Sequence, residues 1–83
     1  MKIRIKSYEW WKNNINRRWG CPTDSNGCHF NPKMAKFCNM SLTVIKSWKD
    51  GRITYYKVKE KESCNWNWSE CFISRADITG ETE

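Results

Sequence analysis

"SLTVIKSWKDGRITYYKVKE", residues 41–60, is two runs rich in β-branched and aromatic residues with Asp50-Gly51 between them. That pattern signals a β-hairpin. Its register follows from which pairing gathers the apolar side chains. A two-residue turn at Asp50-Gly51 would pair Trp48 with Ile53 but also Val44 with Lys57, mixing the faces. A three-residue loop, Lys49-Asp50-Gly51 with Gly51 left-handed, pairs Val44 with Tyr56 and Leu42 with Val58. This second register collects Leu42, Val44, Tyr56 and Val58 on one face, and period-2 alternation then makes that face the buried one. The opposite face carries Ile45, Ile53 and Tyr55 among Lys57 and Lys59.

The flanks add short elements. Upstream, "KIRIK" alternates polar and apolar residues, the period of a half-buried strand. Ser7 offers an N-cap and Glu9 falls in the first helical turn, where the dipole favours it. Tyr8, Trp11 and Ile15 then draw one stripe, which predicts a short helix from about 8 to 16. Trp10 falls off that stripe, free to cover a neighbouring element or to stand exposed. "GCPTDSNG", residues 20–27, is turn chemistry throughout. "NPKMAKFC" reads as a helical turn with Asn31 as N-cap, Pro32 at the first position and Met34, Phe37 and Cys38 toward the core.

Downstream, "NWNW" reads as a further strand whose Trp66 and Trp68 share parity and point to one side. Core packing comes first for this pair, a binding surface only if one ring is exposed. "ECFISRADI" supplies Phe72, Ile73 and Ile78 for a last turn and strand. Short strands between tight turns predict a mainly β fold with short helices, a small bent barrel or half-barrel. The 83 residues suit one domain, placed at 1–79 with a polar tail at 80–83. A chain this short has a thin core, which its 6 Trp, 3 Tyr and 3 Phe thicken.

Charge is uneven. Residues 1–59 hold 13 Lys and Arg against 3 Asp and Glu, a balance of +10; residues 60–83 hold 2 against 6, a balance of −4, and the net is +6. A basic body suits an anionic partner such as nucleic acid, an acidic protein surface or a nucleoprotein. On the hairpin, Lys46, Lys57 and Lys59 flank Tyr55, while Lys49 and Arg52 cluster at the tip. Aromatics beside cations provide stacking faces next to phosphate partners. These six residues are the candidate partner-binding set, weighed against a solvated hairpin end.

No segment is long or apolar enough to span a membrane. The N-terminus lacks the apolar run of a signal peptide, which points to the cytoplasm and to reduced thiols. The 5 cysteines are also odd in number. Cys21, Cys28 and His29 have the right chemistry for zinc, with Cys38, Cys64 or Cys71 as a fourth ligand. Their spacing is poor, since structural zinc sites favour about two to four residues between paired ligands. Adjacent Cys28 and His29 would also have to point the same way. A Cys64–Cys71 disulfide fails on reach: an extended run there spans roughly 23 Å, against about 6 Å for a bridged pair. The residues therefore predict no metal, no cofactor and no obligatory disulfide. For catalysis, the sequence offers only a Cys28–His29 pair, and sequence neighbours seldom form one. A non-enzymatic role is expected.

The order of features resembles short proteins of phages and prophages of Gram-positive bacteria. The matching stretches are "MKIRIKSYE", "MAKFCNMSLTV", "YYKVKE" and "WNWSECFI"; Asn39 stands where that pattern has glycine, and residues 16–30 have no counterpart. The resemblance implies an SH3-like barrel and a mobile-element origin, where small proteins block host machinery, anti-CRISPR inhibitors among them. The leading expectation is thus an inhibitor that docks on a host defence protein or nucleoprotein and occludes a nucleic-acid or partner site. A basic nucleic-acid-binding module is the first alternative and a zinc-stabilised interaction domain the second.

Overall fold

The structure, a computed structural model, describes residues 1–77. Ile78 and the polar stretch 80–83 lie outside the described residues. The fold is mainly β. Strands β1 (Lys2–Ile5), β2 (Ser41–Asp50), β3 (Ile53–Val58), β4 (Trp68–Ser69) and β5 (Ile73–Asp77) form one antiparallel sheet in the order β4-β3-β2-β1-β5. One helix, α1 (Tyr8–Asn13), and 3-10 turns at Met34–Phe37, Ser63–Asn65 and Glu70–Phe72 complete it. The sheet is open, with β4 and β5 as its edges, so no barrel closes.

The long strand β2 serves two neighbours in succession. Its first residues, Ser41 to Thr43, pair with β1, and the rest, from Val44 to Asp50, pairs with β3. The sheet thus continues through β2 in two halves.

The hairpin register differs from the sequence-based expectation. The pairs are Asp50↔Ile53, Trp48↔Tyr55 and Lys46↔Lys57, so the loop is Gly51-Arg52 rather than Lys49-Asp50-Gly51. Gly51 takes φ +67 at the first loop position. A tight loop with glycine there follows the twist of the flanking strands, and an L-residue would resist it. A bulge between Val44 and Lys46 then inserts one residue and restores Val44 opposite Val58, not Tyr56. Ile45, beside the irregularity, is 61% exposed. The bulge explains why the expected face survives the change of register: Leu42, Tyr56 and Val58 are buried and Val44 is packed against the core.

The core is aromatic. Phe30, fully buried, meets Phe72, Trp68 and Trp11 at ring-centroid distances of 4.9, 5.7 and 6.5 Å. Trp11 and Trp68 bury rings whose N–H groups still find partners. Trp11 Nε1 donates to the Phe30 carbonyl at 2.8 Å and Trp68 Nε1 to the Ser63 carbonyl at 3.0 Å. Trp66 and Trp68 both lie on Phe37, at 6.3 and 6.0 Å, so they do face one side. Only Trp68 belongs to a strand, however; Trp66 follows the Ser63–Asn65 turn and is half-buried.

Helix α1 is shorter than its apolar stripe predicts. Ser7 Oγ accepts from the Trp10 N–H at 3.0 Å, the expected cap. Only Trp11 is buried; Tyr8 and Ile15 are exposed. The helix stops at Asn13 because the Asn14 side chain donates to the Trp10 carbonyl at 2.8 Å, taking an acceptor from the last turn. In the next segment the 3-10 turn begins at Met34 with Lys33 at its cap position, two residues later than the expected Asn31 cap, although Asn31 Oδ1 does accept from the Met34 N–H at 2.9 Å. Among the described residues no helix is long and apolar enough to cross a membrane.

Candidate functional site

Register decides which charges meet. Lys46, Trp48 and Asp50 on β2 lie directly opposite Lys57, Tyr55 and Ile53 on β3, so these residues share one face. Lys46 Nζ sits 5.9 Å from the Trp48 ring, and Trp48 stacks on Tyr55 with centroids 6.1 Å apart and planes inclined by 24°. The structure therefore brings Lys46, Lys57 and Tyr55 together as expected. Lys49 pairs with Thr54 on the other face, Arg52 stands exposed in the turn, and Lys59 is exposed just past the end of β3. The six candidates do not form one patch: two lysines and a tyrosine share a face, and the remaining cations ring the hairpin.

Tyr55 is 6% exposed and offers no free ring for stacking. What covers it is the 20–29 loop, held by one buried carboxylate. Asp24 Oδ1 accepts from the Asn26 and Cys28 N–H groups at 2.9 and 2.8 Å, and Oδ2 accepts from the Tyr55 hydroxyl at 2.8 Å. Asn26 Nδ2 donates to the Tyr55 oxygen at 3.0 Å and to the Asp50 carbonyl at 3.1 Å. Burial pushes the Asp24 carboxyl up, yet the Ser69 hydroxyl and the donors from Cys28, Tyr55 and Asn26 outweigh it and hold the carboxyl below its ordinary value. Burial raises the Tyr55 hydroxyl to about 12, with Asp24 adding to the effect, so it stays a donor.

Between this loop and the hairpin lies a cleft of about 250 Å³, lined by Asn26, Gly27, Cys28, Trp48, Asp50, Tyr55 and Asn67. Trp48, Asn26, Asp50 and Asn67 were not expected at a site. The "TDSNG" run does carry a signal, since clustered Asp, Ser, Asn and Gly mark a turn in which an Asp side chain can accept from the N–H two residues on. Nothing local points to Trp48 or Asn67, because each enters the cleft through strand pairing or chain return.

The Cys28–His29 pair is split. Cys28 Sγ lies 3.9 Å from the Asn67 carbonyl, while His29 Nδ1 is 3.0 Å from Thr23 Oγ1 and its ring 5.0 Å from Trp19. Burial, with the charges of Asp24 and Cys71 adding to it, raises the Cys28 thiol to about 11, which keeps it protonated at neutral pH. Cys21 is buried in the core, and all five cysteines are free thiols. Among the described residues no three His, Cys, Asp or Glu side chains cluster to hold a metal.

Two other surfaces stand out. Trp19 is 51% exposed between His29 and the Arg18 guanidinium, which lies 5.1 Å from its ring. A second groove is lined by Pro32, Lys33, Lys36, Glu62, Asn65 and Trp66, with Lys36 paired to Glu62. Glu62 takes φ +71 and ψ −52 in a tight turn closed by a 2.8 Å bond from the Ser63 N–H to the Lys61 carbonyl. That is a strained γ-turn conformation for a side-chain-bearing residue.

Comparison with protein-family models, curated proteins and solved structures finds no match for this chain.

Proposed function

We propose that the protein is a non-enzymatic binding module, an inhibitor of the phage type whose basic hairpin docks on a host defence protein or nucleoprotein. It works by occlusion: the basic hairpin covers an acidic surface of the host protein, or the exposed nucleic acid of a nucleoprotein, and so blocks a nucleic-acid or partner site. An SH3-like half-barrel built on the shared strand β2 is the fold we assign to it, and a bacterial cytoplasm its place of action.

One observation carries this reading. Lys46 and Lys57 are direct cross-strand partners. Like charges placed opposite one another destabilise a strand pair. No carboxylate forms an ion pair with either among the described residues, where Lys36–Glu62 is the sole pair. An anion between the two ammonium groups removes that repulsion. Lys49, Arg52 and Lys59 add positive potential around the same hairpin and favour fast encounter with a negative surface.

Direct nucleic-acid binding is the second reading. It is favoured by Trp48, half-buried beside a cleft and next to Lys46. Aromatic rings beside cations suit single strands.

The test is the double variant Lys46→Glu/Lys57→Glu. Wild type and variant are used to capture partners from a bacterial host lysate and are titrated with single- and double-stranded oligonucleotides at several salt concentrations. Capture of a protein or nucleoprotein by wild type alone supports the inhibitor. Salt-dependent binding of plain oligonucleotides, lost in the variant, moves the assignment to the second reading. A variant that retains every interaction of the wild type removes the hairpin face from both.

A further inference from the structure

We infer that the cleft between the hairpin and the 24–28 turn is a seat for one unpaired guanine of a single-stranded nucleic acid, with the flanking phosphates on Lys46 and Lys57. This rests on the second reading above, direct nucleic-acid binding through the basic face, and names the base it meets.

Size comes first. The cleft holds about 250 Å³. Pockets for drug-sized ligands run from roughly 300 to 1,000 Å³. The space suits one planar ring system rather than a whole multi-ring ligand. Its wall is an indole: Trp48 is backed by Tyr55 on the sheet, and the exposed Lys46 places its ammonium 5.9 Å from the ring centroid. A base stacked on Trp48 displaces that ammonium toward the base's own phosphate, where Lys57 stands opposite.

The edge chemistry selects the base. Asn26 spends its Nδ2 on the Asp50 carbonyl and the Tyr55 oxygen, leaving its Oδ1 as an acceptor. Asp50 shares the Trp48 face by register, and its carboxylate makes no ion pair among the described residues. Asn67 also lines the cleft, and its side-chain amide has no hydrogen-bond partner among the described residues. The cleft thus presents two acceptors, Asn26 Oδ1 held in place by its Nδ2 bonds and the exposed Asp50 carboxylate, and one group that can donate. A carboxylate accepts two parallel N–H groups well. Guanine alone among the common bases offers adjacent ring N–H and amino donors beside a carbonyl acceptor. Adenine and cytosine present an acceptor next to their amino group and would face Asp50 with repelling lone pairs; thymine presents a single ring N–H between two carbonyls.

The experiment titrates the protein with a fluorescent oligothymidylate and with the same strand carrying one central guanine, then adenine, then cytosine. We expect the guanine strand to bind on the order of tenfold more tightly than the others, within the range of a bidentate base contact. Asp50→Asn should abolish that preference, read as the ratio of guanine-strand to oligothymidylate affinity in the same variant. Trp48→Ala should weaken every strand by roughly 5- to 150-fold, with Trp48→Phe restoring part of the loss. Lys46→Ala and Lys57→Ala should lower affinity equally for all strands, each reducing the salt slope by about 0.7.

Equal affinity for all four strands, or a guanine preference that survives Asp50→Asn, overturns the guanine seat while leaving the basic face intact. The same holds if no strand binds but a host protein is captured through the lysines. Insensitivity of every interaction to Lys46→Ala and Lys57→Ala overturns the basic face, and the seat with it.

Discussion

The two faces of the hairpin are covered in opposite ways. Under Leu42, Tyr56 and Val58 lies a dry aromatic cluster in which Phe30, Trp68 and Phe72 are no more than 1% exposed. Over Tyr55 lies a loop fixed by hydrogen bonds to Asp24. The first side is held by non-directional burial, which tolerates shifts and ignores pH. The second is held by directional bonds to one charge, which fail together if that charge is lost. A chain of 83 residues has aromatics enough for one thick layer. Its second layer is polar, and the cleft sits at that polar layer.

The contrast is most sharply tested by removing one anchor from each side. Trp68 is 0% exposed and packs on Phe30 and Phe37. Trp68→Ala should cost about 3–5 kcal/mol and lower both denaturant and thermal midpoints for the whole domain. A loss confined to the 20–29 loop would show that the aromatic layer is not the common core.

Asp24→Ala should come next, at about 1.5–3 kcal/mol, because it strands donors that face a charged group. Its signature differs in kind. Amide exchange at Asn26 and Cys28 should accelerate strongly while β1 and β2 keep their protection. Uniform loss of protection would erase the distinction between the two layers.

Acid should reproduce that effect reversibly. The Asp24 carboxyl is held below its ordinary value, and so is Glu60, where burial is outweighed by bonds from the Thr43 N–H and hydroxyl. A depressed folded-state value means that the unfolded chain takes up protons first as pH falls. The stabilisation is therefore complete above the unfolded value of about 4 and is lost as pH drops further, through the folded values. Wild-type stability should be flat from about pH 5 to 8 on account of these groups and fall below about 4. Asp24→Asn should fall less steeply. Parallel acid profiles would remove Asp24 from the account.

The smallest effect expected is at the turn that aligns both faces. Gly51→Ala meets no neighbour within 4 Å and pays only for its positive φ, about 1 kcal/mol. A neutral result would mean that the loop can adopt another turn type without disturbing the pairing of Lys46 with Lys57.

Local patterns made much of this legible. Ser7 caps where its sequence says, Asn31 accepts from the Met34 N–H at the start of the next turn, Trp66 and Trp68 share a side, and Lys46 and Lys57 flank Tyr55. The expected register failed for an identifiable reason. Matching apolar residues assumes unbroken alternation, and a bulge at Ile45 breaks it where no Gly or Pro marks the place. Tyr55 was expected exposed because its strand face is cationic. Its cover comes from a residue 31 positions earlier, and no window of sequence contains both.

The sequence by itself determined the β class, the turn at Gly51, the membership of the buried hairpin face and the excess of positive charge. Each of these depends on side-chain period, on one residue's backbone freedom or on composition, all of which act locally or need no geometry. Only the tertiary structure decided that β2 divides its length between two neighbours, that Asp24 pins the loop across Tyr55, and that Trp48, Asp50 and Asn67 meet at one cleft. Those facts arise where distant segments compete to cover the same surface, and the outcome depends on shape and hydrogen-bond direction rather than on the pattern within any one of them.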